Sequence, residues 1–323
     1  MLTGASGFVG SHILDLLQEQ GIPTAVLLRP SSNRGFIEKG SRPLEVRTGM
    51  LSDPQSLRVA LAGVTQIVHC AGCTRARNVS EFYAINHLGT RNLVEAINAS
   101  GSGIQRLVHI SSLAAAGPAT PALPVREKDS PHPVSHYGKS KLAGELEVRG
   151  NCRIPYTIIR PTAVYGPRDR GFLPMFQAVK RHVLPLPSGR QSLSIVFARD
   201  LAETIVGCLF HPTAAGKTYF VASREIVSGR LMARQIALQM RRWTVPLPLP
   251  TALLWPLCLA QEIGSRLTGR ASLLNLQKFA ELRAPGWVCD ASLIQQELGL
   301  ECRTALADGV AQTLEWYLQQ NWL

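Results

Sequence analysis

The chain has 323 residues, 46% hydrophobic and 17% charged, which excludes a disordered protein and is enough for a large α/β core, as one domain or two lobes. The 34 Lys and Arg against 22 Asp and Glu give a formal net charge of +12, which favours anionic partners such as a phosphorylated cofactor or an acidic membrane surface. No Lys/Arg block or aromatic–basic alternation of a nucleic-acid motif is visible, so nucleic acid is not expected, and the seven scattered cysteines do not make a secreted disulfide framework.

In chain order, MLTGASGFVGSH places three strand-like residues before Gly4-x-x-Gly7-x-x-Gly10 and a helical run near Phe8–Gln20. Strand patterns follow at Thr24–Arg29, Leu44–Met50, Thr65–Gly72, Arg106–Ser112 and Tyr156–Pro161, with helical patterns near Gln55–Ala62, Val79–Ala99 and Ser135–Arg149. Repeated β-α-β units imply a Rossmann-type doubly wound parallel sheet with helices on both faces. After Gly166 the pattern becomes irregular, and a helix near Arg199–Phe210 and a strand near Lys217–Ala222 are expected to return to the sheet. The expected division is a nucleotide domain over residues 1–170, with return elements near 188–222, and a smaller substrate lobe from 171–187 and 223–323. The uncharged run Val245–Gln261 contains four prolines and is short for a bilayer core of roughly 30 Å. It is read as a pocket wall or lid, with peripheral membrane contact as the lesser alternative and a cytoplasmic location expected.

A glycine turn between strand and helix lets the backbone approach two phosphates, and the helix N-terminus offers free N–H groups and positive potential. The residue that reads the ribose should lie about 20 residues further on. Here the second strand ends in Leu28-Arg29-Pro30-Ser31-Ser32, with no acidic residue at its tip. Arg29 can pair with a 2′-phosphate, and Ser31 and Ser32 can add hydroxyls, which favours NADP over NAD.

Three segments look chemically coupled. Ser111-Ser112 ends a strand on the ligand side, Tyr137 and Lys141 stand at i and i+4 on one helix face, and Asn86 follows Cys70-Ala71-Gly72. Carbonyl reduction needs a proton donor beside the oxygen that gains charge. A phenol of pKa about 10 is a poor acid–base near neutral pH unless a neighbouring ammonium favours its phenolate. A serine hydroxyl can hold the carbonyl oxygen, and a nicotinamide supplies or takes the hydride.

On these residues the chain resembles the extended short-chain dehydrogenase/reductases, the epimerase/dehydratase-like group. The motifs are TGASGFVG, VHCAG, Asn86-x-x-Gly89-Thr90-x-Asn92, HISSLAAAG, YGKSK followed by Glu145, RPTAVYGP, and the final LGLECRTALADGVAQTLEWY. The resemblance implies Tyr137 as acid–base, Lys141 as its activator, Ser112 (with Ser111 as fallback) as the carbonyl-orienting hydroxyl, and Asn86 as a support. It also implies cofactor contacts from Gly4, Ser6, Gly7, Phe8, Val9, Gly10, Arg29, Ala71, Gly72, Tyr137, Lys141, Pro161 and Val164. By the same analogy the natural start is expected upstream, with further apolar residues completing the first strand, and the helices carrying Asn92 and Tyr137 imply a homodimer.

Departures from the family pattern bear on the substrate. Sugar-nucleotide members carry an Asn where this chain has Ala163 and an Arg where it has Leu193, both of which would hold a diphosphate. Met50 replaces an adenine-contacting Asp, with Asp53 nearby, and Ala116 replaces a Tyr of the pocket wall. The remaining pocket candidates, Leu113, Ala114, Phe172, Leu173 and the run after Val245, are apolar. The pattern is similar to the 3β-hydroxysteroid dehydrogenase-like and dihydroflavonol reductase-like branches. It implies hydride transfer on a hydroxyl or ketone of a hydrophobic, sterol- or flavonol-like small molecule. A sugar-nucleotide epimerase or dehydratase and a non-catalytic NADP sensor are the alternatives.

Other candidates carry plainer expectations. Cys70-x-x-Cys73 lacks a second pair at zinc spacing, so packing rather than redox or metal chemistry is expected, and no metal is predicted. His69 and His109 should be packed and hydrogen-bonded within strands. His136 could touch substrate or open a helix. Arg168, Asp169 and Arg170 read as a solvated loop, and Trp316 and Trp322 as packing of a C-terminal helix.

Overall fold

The computed structural model describes residues 1–37, 44–101, 103–187, 191–249, 255–256, 261 and 276–323. Its first half runs β1 (Leu2–Thr3), α1 (Phe8–Glu19), β2 (Ala25–Leu28), β3 (Glu45–Thr48), α2 (Pro54–Ala60), β4 (Gln66–His69), α3 (Val79–Tyr83), α4 (Gly89–Ala99), β5 (Arg106–Ile110), α5 (Leu113–Ala116), α6 (His136–Asn151) and β6 (Tyr156–Pro161). It continues through β7 (Ala163–Tyr165), α7 (Leu173–Lys180), β8 (Val183–Pro187), β9 (Ser192–Phe197), α8 (Ala198–Phe210), β10 (Lys217–Val221), β11 (Ile226–Ser228), α9 (Gly229–Gln239), β12 (Val245–Leu249) and β13 (Gly286–Trp287). Further helices span Leu276–Arg283, Ser292–Leu298 and Leu306–Gln319.

Seven strands form one parallel sheet in the order β10-β6-β5-β4-β1-β2-β3. Apolar runs such as Ile67-Val68, Leu107-Val108 and Ile158-Ile159 are buried because helices cover both faces. On one face α1 and α8 pack Ile13, Leu14 and Leu17 with Leu201, Ile205 and Leu209. On the other, Leu93, Val94 and Ile97 of α4 pack with Leu57, Leu107 and Ile158. Strand β1 pairs on both sides, Leu2 with Val26 and Val68 and Thr3 with Leu27 and His69. The chain winds from β1 one way to β2 and β3, then the other way from β4. The crevice beyond the carboxyl ends of β1 and β4 is therefore the topological switch point where such sheets bind ligands.

Helix α8 and strand β10 return to this sheet, as the sequence predicts. Strand β9 does not. Although it falls among the expected return elements, it joins a second sheet in which β11 and β13 flank it and β7 also pairs with it. The loop Arg168–Arg170 is likewise a structural joint rather than a solvated loop. The Asp169 carboxylate accepts from the Gly171 and Phe172 N–H groups, its carbonyl accepts from the Tyr317 hydroxyl, and Arg168 pairs with Asp15 at 2.7 Å. Arg170 lies over the Trp322 ring, which packs with Trp316.

Of the Val245–Gln261 run, residues 250–254 and 257–260 lie outside the described residues. No helix among the described residues is long and apolar enough to cross a membrane. No group of three or more His, Cys, Asp or Glu among them could hold a metal ion.

Candidate active site

The glycine turn is built for close approach. Gly4 has φ +77°, and a Cβ there would stand 2.6 Å from the Ala71 nitrogen; a Cβ at Gly10 would strike the Gly4 carbonyl. Both glycines therefore seat α1 against the ends of β1 and β4. Gly7 is the N-cap of α1, with no side-chain cap and no acidic residue in the first turn, so the N–H groups of the helix start face the crevice uncontested. Gly72 closes the opposite wall, where a Cβ would lie 3.2 Å from Asn86 Oδ1 and 3.6 Å from Lys141 Nζ. This bare, donor-rich cradle suits a dinucleotide pyrophosphate, with Gly4 to Gly10, Ala71 and Gly72 as the residues that would hold it.

Arg29 follows β2 at the same end of the sheet and is exposed. Its charge lies near enough to Cys73 and Glu81 to favour their ionised forms, although burial raises the Cys73 thiol overall, and its guanidinium has no ion pair among the described residues. Ser32 is used locally, its hydroxyl accepting from the Arg29 N–H at 3.1 Å. Met50 is exposed, and Asp53 caps α2 by accepting from the Gln55 and Ser56 N–H groups, which gives it a structural duty.

Asn86 sits in a π-helical turn, Ala84–Leu88, that interrupts what the sequence reads as one helix from Val79 to Ala99. Such turns gather at functional sites, and apolar periodicity does not reveal them. Its Oδ1 accepts from the Cys73 N–H at 2.7 Å, and its Nδ2 donates to the Cys73 carbonyl at 3.0 Å and to Ser140 Oγ at 2.9 Å. It thereby ties the loop after β4 to α6.

Helix α6 carries Tyr137 and Lys141 and starts at a Ser135 N-cap, whose hydroxyl accepts from the Gly138 N–H. Two glycines that the sequence reading passed over set its position. A Cβ at Gly138 would run into the Ala114 carbonyl, and one at Gly144 would stand 2.5 Å from the Asn86 carbonyl. Gly138→Ala should push α6 off α5. The expected result is a loss of about 1–3 kcal/mol of stability with a fall in turnover larger than in Gly150→Ala, where a Cβ meets nothing; parallel urea melts and rate assays check it.

The half-buried Ser112 hydroxyl accepts from the Ala114 N–H and lies close enough to the Tyr137 phenol to favour its ionised form. Burial pushes the phenol up to about 12, with the Ser112 hydroxyl pulling the other way. Burial is the largest influence on the phenol in this arrangement, and Lys141 Nζ donates to the Ile110 carbonyl at 2.6 Å. Desolvation lowers Lys141 itself from 10.5 to about 8.

The lowered lysine makes a linkage prediction. Between pH about 8 and 10.5 the unfolded chain holds a proton the folded one has lost, so this group's contribution to stability rises with pH across that window. The stability difference between wild type and Lys141→Met should move in favour of wild type by about 3 kcal/mol over that range, as denaturant midpoints at successive pH values will show.

Ser111 is excluded as the orienting hydroxyl because it is buried and donates to Glu145 Oε1 at 2.5 Å. Glu145 is fully buried and is held by a two-point pair with Arg160, both contacts at 2.8 Å, and by Arg149 at 3.0 Å. Sequence reasoning noted Glu145 only as a motif residue and missed this platform. The signal available was a charged residue, Arg160, inside an apolar strand.

Two further expectations change. Leu113 and Ala116 are buried against Val125 and Phe220 rather than lining an open pocket. His69 is hydrogen-bonded to Thr3 and Thr90, but neither ring nitrogen of buried His109 has a partner among the described residues. Burial holds both imidazoles neutral, with His69 lowered to about 3. Cys70 and Cys73 are free thiols, both raised by burial, Cys70 to about 12, which is the opposite of an activated redox pair. His136 meets Tyr83, ring to ring at 6.2 Å.

Comparison with known proteins places this site in a lineage. The chain is 29% identical to the ceramide reductase of Caulobacter vibrioides over 323 residues, spanning 100% of this chain and 95% of that protein. It is 27% identical to the UDP-glucose 4-epimerase of Vibrio cholerae over 338 residues, spanning 99% and 96%. Among solved structures, gox2253 matches with a TM-score of 0.82 and 26% identity, over 99% of this chain and 97% of that one. The model of the NAD dependent epimerase/dehydratase family matches residues 1–222, which hold the glycine cradle, Asn86, Ser112, Tyr137 and Lys141. With its parallel sheet and the switch-point crevice, the chain belongs to the NAD dependent epimerase/dehydratase family.

Proposed function

We propose that this protein is an NAD(P)-dependent oxidoreductase that interconverts a hydroxyl and a ketone on a hydrophobic small molecule. The observation that carries the reading is the apolar character of the two diphosphate-holding positions in a chain that keeps Ser112, Tyr137 and Lys141. Ala163 and Leu193, at the two positions where sugar-nucleotide enzymes of the family hold a diphosphate, are half-buried members of one apolar cluster with Phe172 and Leu173. A charged diphosphate would find no cation or amide from those two side chains. The ceramide reductase relative directs the substrate class toward long-chain lipids, beside sterol- and flavonol-like molecules.

In the reductive direction the Ser112 hydroxyl holds the carbonyl oxygen and stabilises its growing charge. Tyr137, which keeps its proton at neutral pH, gives that proton to the same oxygen. Lys141, cationic below pH about 8, stabilises the phenolate that results. Asn86 keeps the loop after β4 and α6 in register. The nicotinamide, when bound, is the hydride donor or acceptor. Pro161 and Val164, at the end of β6 and in β7, are assigned to its surroundings.

Arg29 supports NADP as the preferred cofactor, since a guanidinium without an ion pair among the described residues can meet a 2′-phosphate in a fork. Arg29→Gln should weaken NADPH by about 10- to 100-fold and leave NADH nearly unchanged, as calorimetric titration will show. The substrate class is tested by a panel of sterol, flavonol and long-chain keto substrates beside UDP- and dTDP-sugars. The expected result is turnover of an apolar ketone or alcohol. Turnover of nucleotide sugars alone would overturn the reading and restore the epimerase alternative.

A further inference from the structure

We propose that the face built by α7, α9 and the β8–β12 ribbon docks this protein on an anionic lipid bilayer. The inference goes beyond the substrate reading and does not depend on it. Segments Leu173–Pro187 and Gly229–Leu249 hold Lys180, Arg181, Arg230, Arg234, Arg241 and Arg242 and no Asp or Glu. These six cations supply half of the formal net charge of +12. All six are exposed, and none is ion-paired among the described residues, whereas Arg77, Arg91 and Arg199 elsewhere on the surface are paired with glutamates.

Apolar side chains are interleaved with this charge. In α9, Met232, Ala233, Ile236 and Ala237 point inward, so Leu231, Arg234 and Leu238 form the outer stripe at i, i+3 and i+7. Leu238 is 63% exposed, Trp243 70%, Val245 57% and Leu247 50%. Trp243 is held in place by stacking on His182 at 4.3 Å, with its carbonyl on the His182 ring at 2.9 Å. An indole fixed at a protein surface between arginines and leucines suits the boundary between headgroups and acyl chains.

Favourable interaction with helix dipoles could account for Lys180 and Arg181 at the end of α7 and for Arg241 and Arg242 after α9. It does not account for Arg230, in the first turn of α9, where a cation opposes the dipole. Arg241 further occupies a left-handed position, φ 50°, where glycine is favoured. Dense cation with no acid favours an anionic surface over an acidic or neutral protein, and the apolar stripe favours lipid over nucleic acid.

The test is cosedimentation of the full chain with vesicles of phosphatidylcholine alone or doped with phosphatidylglycerol, at low and high salt. Binding is expected to the doped vesicles only, with release by salt. Arg241→Gln/Arg242→Gln should weaken partition by about 25-fold, at roughly fivefold per charge, and so should Arg230→Gln/Arg234→Gln. Trp243→Ser/Leu247→Ser should weaken it at low salt as well. Arg77→Gln/Arg91→Gln should leave it unchanged, and thermal melts report folding of each variant. The proposal is overturned if the doped vesicles are not bound, if all arginine pairs weaken binding equally, or if RNA is bound in preference to the vesicles. Activity on a detergent-dispersed substrate stays at the wild-type level in the arginine variants, so a failure here is distinct from a failure of the oxidoreductase reading.

Discussion

Replacing Tyr137 with Phe lowers turnover by about 10²- to 10⁴-fold while folding and NADPH binding persist. The ring is anchored independently of its hydroxyl, packing 6.0 Å from Phe82, so removal of one oxygen leaves α6 seated. What disappears is the hydroxyl that lies near Ser112 and would move a proton to a carbonyl oxygen held there. Because the loss is confined to the chemical step, kcat should fall while KM changes little. A protein that only sensed the cofactor would respond to NADPH as before. Steady-state kinetics with calorimetric titration of NADPH distinguish the two.

The second large effect lies beneath the site. Glu145→Leu removes the carboxylate that holds Ser111, Arg149 and the buried Arg160. Arg160 is 1% exposed and cannot turn to water, so its charge is left uncompensated. The expected loss is about 3–5 kcal/mol. Replacing Arg160 with Leu as well should recover most of it, because the cost comes from a lone buried charge rather than from the absence of the pair. Urea denaturation of the single and double variants measures this. Ser111 precedes Ser112 at the end of β5, so the single variant should also lose turnover.

Much of this architecture can be read from the sequence because its signals are local. Apolar strands of four to six residues between amphipathic helices, such as Gln66–His69 and Tyr156–Pro161, announce a parallel sheet. The glycine turn, the serine pair and Tyr137 with Lys141 mark the crevice because each stands at the end or start of a regular element. What escaped is long-range. Nothing near Glu145 announces Arg160, and nothing near Gly144 announces the Asn86 carbonyl it must clear. The π-turn at Asn86 leaves the apolar pattern intact, and the joint at Asp169 depends on Tyr317, 148 residues away. The phenol of Tyr137 is governed by burial, a property of the folded chain, and its direction of shift could not be taken from the spacing to Lys141.

Label transfer tests the central claim most directly. The protein is mixed with NADPH deuterated on its transferable hydrogen and with a long-chain or polycyclic ketone, and the products are read by mass spectrometry. Net hydride transfer to a hydrophobic carbonyl predicts one deuterium on the new carbinol carbon, stoichiometric oxidation of NADPH, and loss of both in Tyr137→Phe. Absence of label in any apolar product, together with interconversion of UDP-sugars without net consumption of the nicotinamide, would contradict it.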